Sequence, residues 1–117
     1  MTGTVTTDGV PLVLLTVAAQ TWPAIIDTGF NGDLELPVSL RASLKPRFLY
    51  RTRSVLAGGQ TIDEDLYAVD FPFDGTMIIA EATFSPSAEI LIGTHLLAQY
   101  RLEINFPDRS VELHCLA

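Results

Sequence analysis

Short runs of Val, Ile, Leu, Thr and Phe, broken by Gly, Pro, Asp or Asn at the ~8–12-residue spacing of an all-β chain, leave little room for helices. A mainly β fold is expected. Residues 4–7 and 11–17 flank Asp8-Gly9, a dipeptide suited to the positive φ values of a type I′ turn, and so predict a first hairpin. Residues 21–26 run into Asp27-Thr28-Gly29, and Asn31-Gly32 supplies a further turn before the extended pattern resumes at 34–36. Residues 37–44 open on Pro37 and carry apolar Val38, Leu40 and Leu44, which predicts a short helix. Residues 47–57 and 60–73 are long strands meeting at Gly58-Gly59; a two-residue turn centred there sets Val55 opposite Ile62 and Arg53 opposite Glu64. Asp74-Gly75 marks another turn. Strands at 77–84 and 89–92, a turn or two of helix at 95–99, and a last pair at 100–106 and 110–116, joined by Pro107-Asp108-Arg109, complete the chain.

At 117 residues the chain matches the ~100–150-residue size of one domain, so a single domain over residues 1–117 is expected. Its 48% apolar and 18% charged residues, against a usual ~25% charged, are those of a chain that folds around a core. Seven Lys and Arg against fourteen Asp and Glu leave a net charge of −7, which repels a phosphate backbone, so no nucleic-acid partner is expected. The apolar run at 10–19 is about half the ~20 residues that cross a bilayer and contains Pro11; it reads as a buried strand, and no membrane partner is expected. No Lys or Arg precedes Arg41, so the basic opening of a secretory signal is missing. A lone Cys115 makes no internal disulfide and fits a reducing compartment, with the cytoplasm as the expected location. Only Cys115, His95 and His114 offer soft ligands, and adjacent His114 and Cys115 lack ligand spacing, so neither metal nor cofactor is expected.

Charge is unevenly placed: Arg41, Lys45, Arg47, Arg51 and Arg53 cluster before the Gly58-Gly59 turn, and Asp63, Glu64, Asp65, Asp70 and Asp74 follow it. Cross-strand pairing, at ~0.2–1 kcal/mol per pair, makes this a solvated face in preference to a docking patch for an acidic partner.

One acid stands out chemically. Asp27 ends the apolar run Ala24-Ile25-Ile26 and opens a turn of small residues, Thr28 and Gly29. A carboxylate leaving a buried strand loses solvation and needs hydrogen bonds or a retained proton. Capping its own turn is the plainer role for such an Asp, and the tripeptide by itself favours it. A second segment changes the balance: Ile90-Leu91-Ile92-Gly93-Thr94-His95-Leu96-Leu97 is another apolar strand ending in Gly and turning at once.

Together these segments resemble the retropepsin-like aspartic proteases, the single-domain group that includes retroviral proteases and small bacterial relatives. Asp27-Thr28-Gly29 corresponds to the family's catalytic loop, residues 90–97 resemble the strand, glycine and helix packed beneath it, with Ile92 and Gly93 at the contact, and 47–73 looks like the flap hairpin. The ordered set covers roughly residues 12–113. Phe30 stands where retroviral members usually carry Ala, and the Phe30-Asn31-Gly32 form looks closer to bacterial relatives; Thr94-His95 stands where retroviral enzymes place an Arg, and the flap tip Ala57-Gly58-Gly59-Gln60 has no large aromatic.

The resemblance implies a β-barrel-like acid-protease fold, closed, with a flap and one or two short helices, and an aspartic endopeptidase acting on polypeptides. Amide hydrolysis by carboxylates needs one group to accept a proton and another to donate one. In aspartic proteases two carboxyls about 3 Å apart share a single proton for this. The only other candidate loop, Phe71-Pro72-Phe73-Asp74-Gly75-Thr76, lacks the Asp-Thr-Gly order and reads as a hairpin turn; Pro72 also removes the nucleophile of a dehalogenase-type phosphatase loop. A homodimer with Asp27 from each copy is therefore expected, Thr28 bonding across the axis, Gly29 leaving room for water, and residues 4–7 and 110–116 pairing between copies to bury Val111, Leu113 and Leu116. The alternatives are a dimeric peptide-binding module without turnover and a plain β-domain in which Asp27 only caps its turn.

Overall fold

The computed structural model describes residues 1–116. Ten strands form one sheet: β1 (Thr2–Val5), β2 (Pro11–Val17), β3 (Gln20–Ile26), β4 (Leu34–Pro37), β5 (Arg47–Val55), β6 (Thr61–Phe73), β7 (Thr76–Ser85), β8 (Ile90–Ile92), β9 (Tyr100–Asn105) and β10 (Ser110–Cys115). Their order across it is β5-β6-β7-β4-β8-β3-β2-β1-β10-β9. Period-2 alternation sets the core: Val13, Leu15 and Val17 of β2 and Val69, Phe71 and Phe73 of β6 are buried, while Leu14 and Thr16 between them are exposed. Each fully buried side chain of this size contributes about 1.5–3 kcal/mol.

The short strand β8 organises the centre. It lies parallel to β3, Ala24 to Ile26 facing Ile90 to Ile92, and antiparallel to β4, with Leu34 opposite Ile92. Inserted between the two strands that flank residues 27–33, it is buried at Ile90 and Ile92, which is why this run is apolar on both faces.

Several expectations are corrected. No ladder joins β5 to β9, so hydrogen bonds do not close the sheet into a barrel; β5 is exposed along most of its length, as a projecting hairpin is and a barrel stave is not. The terminal strands are not free edges, because β1 pairs with both β2 and β10 within the chain, burying Val111 and Leu113 while Leu116 stays 70% exposed. Residues 95–99 form isolated turns, Ala98 N–H to His95 O and Tyr100 N–H to Leu97 O, rather than helix, since the chain must re-enter a strand at Tyr100. The expected helix at 37–44 is a 3-10 turn, Val38–Leu40, running into a single α-turn, α1 (Arg41–Leu44), that stops at Lys45 in the left-handed region.

Turn chemistry accounts for the rest. At Asp8-Gly9 only Gly9 has positive φ; Gly9 N–H bonds Thr6 O and Val10 N–H bonds Thr6 Oγ1, giving a wider turn than type I′. At the β5–β6 tip Gly59 alone is left-handed, at φ +81°, and the Leu56–Gln60 bond encloses three residues instead of two. The odd count shifts the register by one: Val55 faces Thr61, Arg53 faces Asp63 and Thr52 faces Glu64. Asp74 and Gly75 are both left-handed between paired Phe73 and Thr76, a two-residue hairpin. Ala18 and Ala19 make the same turn between β2 and β3 with φ of 52° and 65°.

Candidate active site

The loop after β3 hangs on backbone bonds to the segment after β8. Asp27 N–H donates to Ile92 O (3.0 Å), Gly93 N–H to Asp33 O (2.9 Å), Thr94 N–H to Phe30 O (2.8 Å) and His95 N–H to Gly32 O (3.2 Å). The two chains come so close that a Cβ on Gly93 would lie 2.1 Å from Gly32 O and 2.8 Å from Phe30 Cδ2. Ile92 and Gly93 thus touch the Asp27 loop directly.

Asp27 is half-buried at the end of β3, and its Oδ1 accepts the Gly29 N–H at 3.0 Å. The capping role is therefore filled, by one oxygen; among the described residues Oδ2 accepts no hydrogen bond. Thr28 and Gly29 are exposed at the loop crest. Asp27 opens into a groove of about 410 Å³ beneath the β5–β6 hairpin, lined on the hairpin side by Thr52, Ser54, Val55, Leu56, Glu64 and Leu66. The stem supplies this wall. Ala57, Gly58, Gly59 and Gln60 form the exposed tip beyond it.

Asp33 escaped the reading of the sequence. Of the described residues it is the one buried polar or charged side chain, 7% exposed; Oδ2 accepts Glu81 N–H at 2.9 Å and Oδ1 lies 2.5 Å from His95 Nδ1. The hydrogen bond to Asp33, then its charge, raises the His95 pKa above the usual imidazole value. The pair cross-links the two turns on either side of Asp27 and fastens both to β7. The one available signal was an acid placed just before the alternating strand pattern Leu34-Glu35-Leu36.

A larger cavity, about 550 Å³, lies elsewhere, between Met1, Leu14, Phe73, Asp74 and Met77, and includes no residue of the Asp27 loop. Its one acid is engaged, Asp74 accepting the Tyr100 hydroxyl at 2.9 Å, and burial first and this bond second push the Tyr100 pKa upward. Glu103, Glu112 and His114 bring possible metal-ligand atoms within 4.8 Å of one another on β9 and β10, where His114 Nε2 and Glu112 Oε2 are already 3.0 Å apart. Three residues of the basic cluster and three of the acidic one meet as ion pairs on the hairpin surface, Arg47–Asp70, Arg51–Asp65 and Arg53–Asp63, which accounts for these six as a solvated face. No helix among the described residues is long and apolar enough to cross a membrane.

No family model and no curated protein matches the chain by sequence. Solved structures do resemble it. A retropepsin-like aspartic protease from Rickettsia conorii is 15% identical and aligns over 97% of this chain and 88% of its own, with a TM-score of 0.69. The simian foamy virus (mac) protease, 18% identical, covers 74% of this chain and 91% of its own at 0.57, and a foamy viral protease-reverse transcriptase, 20% identical, covers 80% and 13% at 0.61.

Proposed function

From the retropepsin-like fold and the half-free carboxylate of Asp27 we propose that residues 1–117 form one protease domain, the protomer of a homodimeric aspartic endopeptidase. The observation that carries this is Asp27 itself: one oxygen is held by Gly29, the other has no hydrogen-bond partner among the described residues, and the residue lines a groove beneath the β5–β6 hairpin. Asp27 of one copy takes a proton from the attacking water. Asp27 of the other gives a proton to the carbonyl oxygen or departing nitrogen, the pair sharing one proton at rest. Thr28 bonds across the two-fold axis, Gly29 leaves room for the water, and Ile92 and Gly93 hold the loop from below. The hairpin acts as the flap, its tip Ala57 to Gln60 closing over an extended peptide whose backbone pairs with strand edges. The chemistry calls for no cofactor. A single exposed Cys115 suits the cytoplasm.

The test is digestion of a mixed peptide library by wild type and by Asp27→Asn, read by mass spectrometry. Cleavage by wild type and a ~10²–10⁴-fold loss in the variant is expected. Equal cleavage by both would move the chemistry away from Asp27, and peptide capture without cleavage would make the chain a binding module.

A further inference from the structure

The β5–β6 hairpin sorts its charges by face. Asp63 and Asp65 are held by Arg53 and Arg51 at 3.1 and 2.8 Å on the outer face. Glu64, between them in the strand and opposite Thr52, lines the groove beside Asp27. Glu35 from β4 and Glu81 from β7 line it as well. Among the described residues none of these three glutamates belongs to an ion pair, and no Lys, Arg or His contributes to the groove wall. The hairpin arginines are spent on the outer face; the Arg41 guanidinium, stacked 4.5 Å from the Tyr67 ring centre and bonded to its hydroxyl, keeps its charge but lies in a separate hollow that shares Glu64 and Thr83 with this groove. Asp33, the remaining acid of the wall, is already answered by His95.

Between the carboxylates the wall is apolar: Leu34, Val55, Leu56, Leu66 and Leu91. A half-enclosed groove with one sign of charge concentrates a potential that attracts the opposite sign. Lys and Arg match both surfaces at once, laying an aliphatic stem on apolar wall and holding a cationic head against carboxylates. We propose that the groove selects peptides carrying Lys or Arg next to the bond presented to Asp27, with Glu35, Glu64 and Glu81 as the specificity-determining residues. This rests on the endopeptidase reading of Asp27.

The experiment uses three peptides identical except for one central residue, Lys, Gln or Glu. Cleavage by wild type is measured as kcat/KM, and binding to Asp27→Asn as Kd by fluorescence anisotropy. The Lys peptide should lead the Gln peptide by about tenfold and the Glu peptide by more, with the lead shrinking as salt is raised. The double variant Glu64→Gln, Glu81→Gln should flatten the series, and Glu64→Lys, Glu81→Lys should invert it. Cleavage without a charge order, or an order that survives both double variants, overturns the specificity and leaves the endopeptidase standing. A charge order in binding with no cleavage of any peptide supports the specificity and overturns the hydrolytic reading. Neither binding nor cleavage overturns both.

Discussion

The buried carboxylate of Asp33 and the exposed imidazole of His95 meet at 2.5 Å, joining the turn that leaves the Asp27 loop to the turn that leaves β8. Because Asp33 raises the His95 pKa, the folded state binds the imidazole proton more tightly than the unfolded chain does, whose His titrates near ~6.5. The stabilisation is complete below that unfolded value and is lost as pH rises through the raised folded one. His95→Gln should therefore lower the urea midpoint more at about pH 5.5 than at about pH 9. A gap between wild type and variant that is constant or grows with pH would refute this. Asp33→Ala, which also strands the Glu81 N–H, should cost roughly 1–3 kcal/mol.

Gly93 has no space for a methyl group. The atom nearest its Cβ position is a backbone oxygen, Gly32 O at 2.1 Å, and backbone cannot swing aside as a flexible side chain does. Gly93→Ala must part the two turns and break the bonds at Asp33 O and Phe30 O that position Asp27. A loss of about 1–3 kcal/mol or more is expected, with activity falling further than stability. Urea unfolding beside peptide cleavage measures both, and a variant with wild-type stability would show that the contact is slack.

The two glycines at the tip of the β5–β6 hairpin differ. Gly59 sits at φ +81°, where a β-branched residue is strained by about 1–2 kcal/mol, whereas Gly58 has ordinary φ and open space around it. Gly59→Val should distort the turn and reduce cleavage, while Gly58→Val should be tolerated. The spread between the two variants in kcat/KM is the measurement, and equal loss at both sites would reject the three-residue turn.

The β2–β3 turn carries avoidable strain. Ala18 and Ala19 hold left-handed φ of 52° and 65°, positions where Asn and Gly are at ease. Ala18→Asn with Ala19→Gly should stabilise the fold by about 1–2 kcal/mol, seen as a higher urea midpoint with an unchanged slope. A lower midpoint would contradict the turn geometry.

What could be read from the residues divides along physical lines. Elements and their faces were legible because burial follows period 2: Val13, Leu15 and Val17 point inward wherever β2 ends up. That the Asp27 carboxylate would be held was legible because a charge at the end of Ile25-Ile26 is costly otherwise, and its Oδ1 does accept the Gly29 N–H. Partners across long separations were not. Nothing local says that Thr2 faces Glu112, that Asp33 will meet a side chain 62 positions on, or that β8 will lie between β3 and β4. The hairpin register failed for a smaller reason: Gly58-Gly59 suits a two- or a three-residue turn, and one residue of difference changes every facing pair. The Ala18-Ala19 turn carries no turn-favouring residue at all.

The last prediction concerns assembly. One Asp-Thr-Gly loop per chain supplies one carboxyl, and the proposed chemistry needs two, so two copies must meet at Asp27. The terminal strands do not offer the expected edge-to-edge contact, since β1 and β10 already satisfy each other. The free edges are those of β5 and β9, and the exposed crest at Thr28 is where two loops can touch. A contact centred on so small a crest should be weak, so specific activity should fall on dilution. Inactive chains should then poison active ones by random pairing. With a ninefold excess of Asp27→Asn, about one tenth of wild-type chains keep a wild-type partner, and activity per wild-type chain should drop to roughly that fraction. Full activity under the same excess, together with a monomer in sedimentation, would mean that one Asp27 suffices and that the shared site is wrong.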